Sequence, residues 1–99
     1  MKLRIQSVNF DATTQLEVYI NKKVSKLEKT FDKIETVDVY LKVVKPESAA
    51  NKEAEIKVSA PGIEFFASKV CDTFEEAVDL CVDALDKQVR KHKEKQNKK

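Results

Sequence analysis

Residues 73–95, TFEEAVDLCVDALDKQVRKHKEK, constrain the fold of this 99-residue chain more than any other stretch. Phe74, Ala77 with Val78, Cys81 with Val82, Leu85, Val89 and His92 recur every three or four residues, so one face of an α-helix is apolar. Thr73 supplies an N-cap oxygen, and Glu76, three residues on, completes a capping box. The charges along this helix are sorted by sign. Asp72, Glu75, Glu76, Asp79, Asp83 and Asp86 come first; Lys87, Arg90, Lys91, Lys93 and Lys95 follow. Part of that order is ordinary helix electrostatics, since acids suit the N-terminal end of the macrodipole and bases the C-terminal end. The dipole acts only within the last turn, however, whereas the basic run fills about three turns.

An apolar stripe of this width needs a sheet to lie on, and the preceding residues provide one. Residues 2–8 alternate, with Leu3 and Ile5 on one face and Arg4 and Gln6 on the other, which predicts a strand. A helix follows, from Thr13 or Thr14 to about Thr30; Thr14 with Glu17 offers a capping box, and Thr13 is an equally good cap. Its buried stripe is Leu16, Ile20, Val24 (or Lys23), Leu27 and Phe31, with Tyr19 at the edge. Lys22, Lys23, Lys26, Lys29 and Lys33 load its C-terminal half with positive charge. Residues 36–44 alternate strictly, Val37, Val39, Leu41 and Val43 inward and Asp38, Tyr40 and Lys42 outward. Lys45-Pro46 ends that strand, and PESAANK reads as a loop. Residues 53–60 and 63–70 are two further strands joined by a tight turn at Pro61-Gly62, where glycine supplies the positive φ.

The predicted order is β-α-β-β-β-α, an α+β domain. A right-handed crossover leaves the first two strands parallel, and the remaining strands form an antiparallel meander. The sheet is therefore mixed and four-stranded. Both helices follow strands of the same direction and return across the same face, so they are expected to lie side by side and parallel. Their basic C-terminal halves then meet in one patch of Lys22, Lys23, Lys26, Lys29, Lys87, Arg90, Lys91 and Lys93. A helix of some 23 residues spans ~34 Å, against ~27 Å for an eight-residue strand, so its basic tip is expected to project.

Charge bookkeeping supports a polyanion as the partner. Residues 87–99 carry seven bases and one acid, a net +6, while residues 1–86 carry twelve bases and sixteen acids, a net −4. A basic helical end on an otherwise acidic molecule is an electrostatic footprint for nucleic acid. Cys71 and Cys81 are isolated thiols with no CxxC or Cys/His cluster, which predicts no metal site, no disulfide and an intracellular, cytoplasmic setting. No stretch is long and apolar enough for a signal peptide or a membrane span. No nucleophile motif, glycine-rich phosphate loop or apolar carboxylate pair is present, so no catalytic residue, cofactor or small-molecule substrate is expected. His92, the single histidine, sits in the basic tip, where it packs or meets a phosphate.

Lys26-Leu27-Glu28 with Phe31-Asp32 and Ile34, Val37 leading to Leu41-Lys42-Val43, Glu64 with Ala67-Ser68, and Ala77-Val78-Asp79 give the chain a family likeness. With the closing Asp83-x-Leu85-x-Lys87-Gln88-Val89-x-Lys91-His92-Lys93-x-Lys95, it resembles the ribosome hibernation-promoting factors, or ribosome-associated inhibitors, in their short single-domain form. The resemblance covers residues 1–95. It departs at Asp72-Thr73-Phe74-Glu75, where the family has Asp-x-Tyr, and no dimerising second domain is expected. It implies a fold related to the double-stranded RNA-binding domain. It also implies a bacterial stress-response role: binding rRNA of the small ribosomal subunit near the decoding channel and blocking translation by occupancy. The matching basic positions are Lys23, Lys26, Lys42, Lys87, Lys91 and Lys93; charge alone adds Lys22, Lys29 and Arg90, and His92 and Lys95 complete the expected rRNA-binding set. Residues 1–95 are expected to form one ribosome-binding domain, monomeric when free, and residues 96–99 a basic, disordered tail.

Two other readings compete. RNA could bind the open sheet face, in the manner of an RRM, through Arg4, Tyr40, Lys42, Lys57 and Phe66, although the order lacks a second β-α-β unit and Gly62 is the only glycine. Alternatively, the basic helix end serves a non-RNA protein-interaction or anionic-surface module.

Overall fold

A computed structural model describes residues 1–8, 10–44 and 50–97, with side chains as far as Glu94. Its elements are β1 (Lys2–Val8), α1 (Thr14–Thr30), β2 (Thr36–Val43), β3 (Lys52–Ala60), β4 (Ile63–Cys71) and α2 (Phe74–Asn97). The sheet has the order β1-β2-β3-β4, with β1 and β2 parallel and the other neighbours antiparallel. This is the expected α+β architecture. Most of the expected 46–52 loop lies outside the described residues, and its last residue, Lys52, begins β3. Gln96 and Asn97, assigned from sequence to the tail, are helical, and Lys98 and Lys99 lie outside the described residues.

Local chemistry sets the helix starts. Thr13, with extended φ −75° and ψ 158°, accepts a hydrogen bond from the Leu16 amide, so it is the cap and Thr14 begins the helix. At α2, Thr73 Oγ1 accepts from the Glu76 amide at 3.1 Å. Burial first, then the neighbouring Glu76 carboxylate, pushes the Cys71 thiol's pKa up. Gly62 turns the β3–β4 hairpin at φ 76°.

The core lies between the inner sheet face and both helices. Val37, Val39 and Leu41 of β2 face Val58, Ile56 and Ala54 of β3 in register, and all six are buried. Leu16, Ile20, Val24 and Leu27 of α1 pack above them with Ala77, Val78, Cys81, Val82, Leu85 and Val89 of α2. Each fully buried Leu, Ile or Val contributes about 1.5–3 kcal/mol relative to exposure. Val24, not Lys23, holds the inward position on α1.

Two hydrogen-bonded pairs fix the relative direction of the helices. Lys23 Nζ lies 2.9 Å from Asp79, and Thr30 Oγ1 donates to Asp86 at 3.1 Å. Both pairs are separated by 56 residues, so α1 and α2 advance together and are parallel. With 24 residues, α2 is ~36 Å long at 1.5 Å per residue. The molecule extends 51 × 23 × 19 Å. Gln88 donates to the Phe66 carbonyl of β4 at 2.9 Å, and His92 packs on Phe65, near the hairpin turn. The last turns of α2 therefore lie at the hairpin end of the sheet.

Candidate nucleic-acid interface

Lysine spacing on α1 splits the basic residues into two rows. Lys22, Lys26 and Lys29 are exposed on the side away from the sheet. Lys23 leans toward α2 instead. Its ammonium pairs with Asp79, lies 5.5 Å from the Tyr19 ring centroid and is only 22% exposed along its side chain. The hydrogen bond to Asp79 holds its pKa above the usual lysine value. Lys23 therefore braces the two helices, and a phosphate would have to displace Asp79 to reach it.

The C-terminal end of α2 presents different chemistry on its two sides. Toward α1, Lys29, Thr30, Arg90, Lys93 and Glu94 line an open cleft of ≈ 450 Å³. Lys93 Nζ donates to the Thr30 carbonyl at 2.7 Å, which satisfies an orphan acceptor at the end of α1. Arg90 Nε donates to Asp86 at 2.8 Å, and the same carboxylate receives the Thr30 hydroxyl. Arg90 and Lys93 are thereby held side by side, with unused N–H donors directed by groups of the protein itself. On the other side, Ile63, Phe65, Gln88, Lys91 and His92 line a second, smaller hollow. Lys87 is exposed one turn before Lys91. Lys95 continues α2 past this point.

Lys42 does not join this surface. Its alternation places it on the outer sheet face, and its register partners are Val8 and Glu53. It sits near the C-terminal end of β2, whereas the helix C-termini lie by the N-terminal end of that strand, where the Met1 amino group meets Glu28 at 3.3 Å and the Lys2 amide bonds the Glu35 carbonyl. Lys42 is thus on the opposite face and at the opposite end. The outer face itself is interrupted. Tyr40 and Phe66 are 39% and 53% exposed, but they lie on β2 and β4 with β3 between them, ~10 Å apart across the sheet. Arg4 is bound to Asp38 at 2.7 Å, and Lys57 to Glu64 at 3.2 Å. Asp38 points outward as its alternation requires, yet it is buried, because Arg4 of the neighbouring strand covers it. Among the described residues, no cluster of three or more His, Cys, Asp or Glu forms a metal-ligand set, and no helix is long and apolar enough to cross a membrane.

Residues 3–97 match the family described as sigma 54 modulation protein / S30EA ribosomal protein. The chain belongs to this family. An Azotobacter vinelandii relative of this S30EA chain, named ribosome hibernation promoting factor, is 38% identical over 96 residues, 97% of this chain and 86% of the relative. The crystal structure of the Thermus thermophilus Protein Y N-terminal domain matches with a TM-score of 0.80 at 26% identity, covering 93% of this chain and 99% of that one. A ribosomal subunit interface protein from Coxiella burnetii gives a TM-score of 0.83 at 22% identity, covering 94% and 98%, and shares the fold.

Three residues of the S30EA chain's helical end escape a sequence reading. Thr30, Asp79 and Asp86 organise the cations, but each is an ordinary helix residue until the offset between α1 and α2 is known. Asp86 carries one local signal, its i,i+4 spacing from Arg90.

Proposed function

We propose that this S30EA-family chain is a ribosome hibernation factor that binds rRNA of the small subunit near the decoding channel and blocks translation by occupancy. The observation that carries the reading is the run of exposed cations along two parallel helices, Lys22, Lys26 and Lys29 of α1 leading to Lys87, Arg90, Lys91 and Lys93 at the basic end of α2. Such an end fills a preformed anionic channel with little ordering cost, because the cations stand on packed elements. Phosphate contacts supply affinity and orientation without reading sequence. The names of its relatives support the same reading. Residues 1–95 act as one ribosome-binding unit, monomeric when free and cytoplasmic, and no chemical step is required of it.

Co-sedimentation with ribosomes and with isolated small and large subunits across a salt series tests this directly. Binding is expected on the small subunit and to weaken steeply with salt, as released counterions are recovered. Equal binding to both subunits, or binding unchanged from low to high salt, would contradict it.

A further inference from the structure

The hollow on the hairpin side of α2 has a composition that phosphate binding does not explain. It is open, ≈ 220 Å³, and lined by Ile63, Phe65, Gln88, Lys91 and His92. Its floor is aromatic. His92 meets Phe31 edge-to-face at 6.0 Å and Phe65 at 5.7 Å, and the two phenyl rings meet each other at 6.3 Å and 88°. Of these three rings, both phenyls are buried and only the imidazole is half exposed. The phenyls therefore hold His92 in place as a rigid aromatic surface at the foot of the basic tip. Lys91 stands on the rim. Gln88 donates one of its two amide N–H groups to the Phe66 carbonyl, which fixes the amide and leaves its oxygen free to accept a hydrogen bond.

A rigid aromatic surface, a neighbouring cation and a fixed acceptor together suit a ligand with a flat ring, a phosphate and an exocyclic donor. Resting on the rRNA-binding reading above, we propose that this hollow seats one unstacked nucleobase of the bound RNA. His92 is the stacking surface, Lys91 meets the adjoining phosphate, and the Gln88 oxygen accepts from a base amino group. Base-on-aromatic stacking of this kind tolerates sequence and adds affinity that salt does not screen. It gives the interface a fixed point that phosphate contacts alone lack.

The chain has one histidine, so the imidazole protons of His92 give isolated NMR signals. The protein is titrated with adenosine 5′-monophosphate and, separately, with ribose 5-phosphate, at one fixed pH. Adenosine monophosphate is expected to move the His92 ring protons and the Ile63 methyls upfield in a saturable way, and ribose 5-phosphate to leave them in place. Equal shifts from both ligands, or none from the nucleotide, would overturn the proposal. In ribosome co-sedimentation, His92→Ala is expected to weaken binding about fivefold or more and His92→Phe to stay within about twofold, since phenylalanine keeps both the packing and the stacking surface. A His92→Phe loss as large as that of His92→Ala, in protein that is folded by circular dichroism, would overturn the stacking role. Failure of the wild-type protein to bind small subunits would sink the hibernation reading instead, and the nucleotide titration would still decide the hollow.

Discussion

Replacing Lys87 and Lys91 together with glutamate removes the two most available cations of the helical end. Lys23 and Arg90 are each held by an aspartate, at 2.9 and 2.8 Å, whereas Lys87 and Lys91 are exposed and form no ion pair among the described residues. The double reversal lowers the net charge of residues 87–99 from +6 to +2. Each phosphate contact contributes about 0.7–0.9 to the slope of log K against log salt, so at 0.1 M salt two lost contacts weaken binding roughly 25- to 60-fold relative to 1 M. Repulsion by the new carboxylates makes this a lower bound. The fold is expected to survive, because both positions face solvent; one like-charge i,i+4 pair replaces another, and the new repulsion between position 87 and Asp83 costs only a few tenths of a kcal/mol. Small-subunit affinity is measured at four salt concentrations for wild type and variant, after circular dichroism shows both helical. The slope should flatten by about 1.4–1.8. An unchanged slope, with the variant folded, would refute the placement of RNA phosphates on α2. So would a larger loss from Tyr40→Ala with Phe66→Ala, which would move the contact to the open sheet face.

Lys42→Glu is expected to change small-subunit affinity less than about twofold, since Lys42 lies on the opposite face and end; a loss like that of the double reversal would mean that the outer sheet face also touches the ribosome. Asp79→Asn removes the partly exposed bridge to Lys23 and should lower the urea midpoint slightly, with binding kept or slightly improved as Lys23 is released; a loss of affinity would give Asp79 a role beyond bracing. Cys71 and Cys81 are free and buried, and burial pushes the Cys81 thiol up to about 12. Neither should react with a thiol reagent at pH 8 until the protein is unfolded, and rapid labelling of the native state would contradict their burial. Because the folded state holds the Cys81 proton where the unfolded thiol, near 8.5, has lost it, that stabilisation is full below pH 8.5 and declines as pH rises toward about 12, which urea unfolding at pH 8 and pH 10 can read.

Periodicity carried most of the fold. Strict alternation in β2 and the capped apolar stripe of α2 left little freedom, and element ends moved by only a residue or two. The shifts have local causes: pairing of Lys52 with Val43 and Cys71 lengthens β3 and β4 by one residue each, and the extended backbone at Thr13 decides between two threonine caps. Asp38 was harder to read, because its burial depends on Arg4, 34 residues away, and no period of two reports a covering side chain. The site was legible as a charge run but not as a geometry. Topology put the basic halves together, yet which cations face solvent depends on the 56-residue offset that pairs Lys23 with Asp79 and Thr30 with Asp86. Lys42 entered the set by likeness to a family pattern, and strand alternation, already visible, put it on the other face.

Titration of a cell-free translation reaction with the protein tests inhibition by occupancy most directly. Inhibition is expected to saturate near one protein per ribosome, to reverse when salt or excess RNA competes the protein off, and to leave rRNA intact. Silencing of all ribosomes by a substoichiometric amount, or cleaved rRNA after the protein is removed, would contradict it.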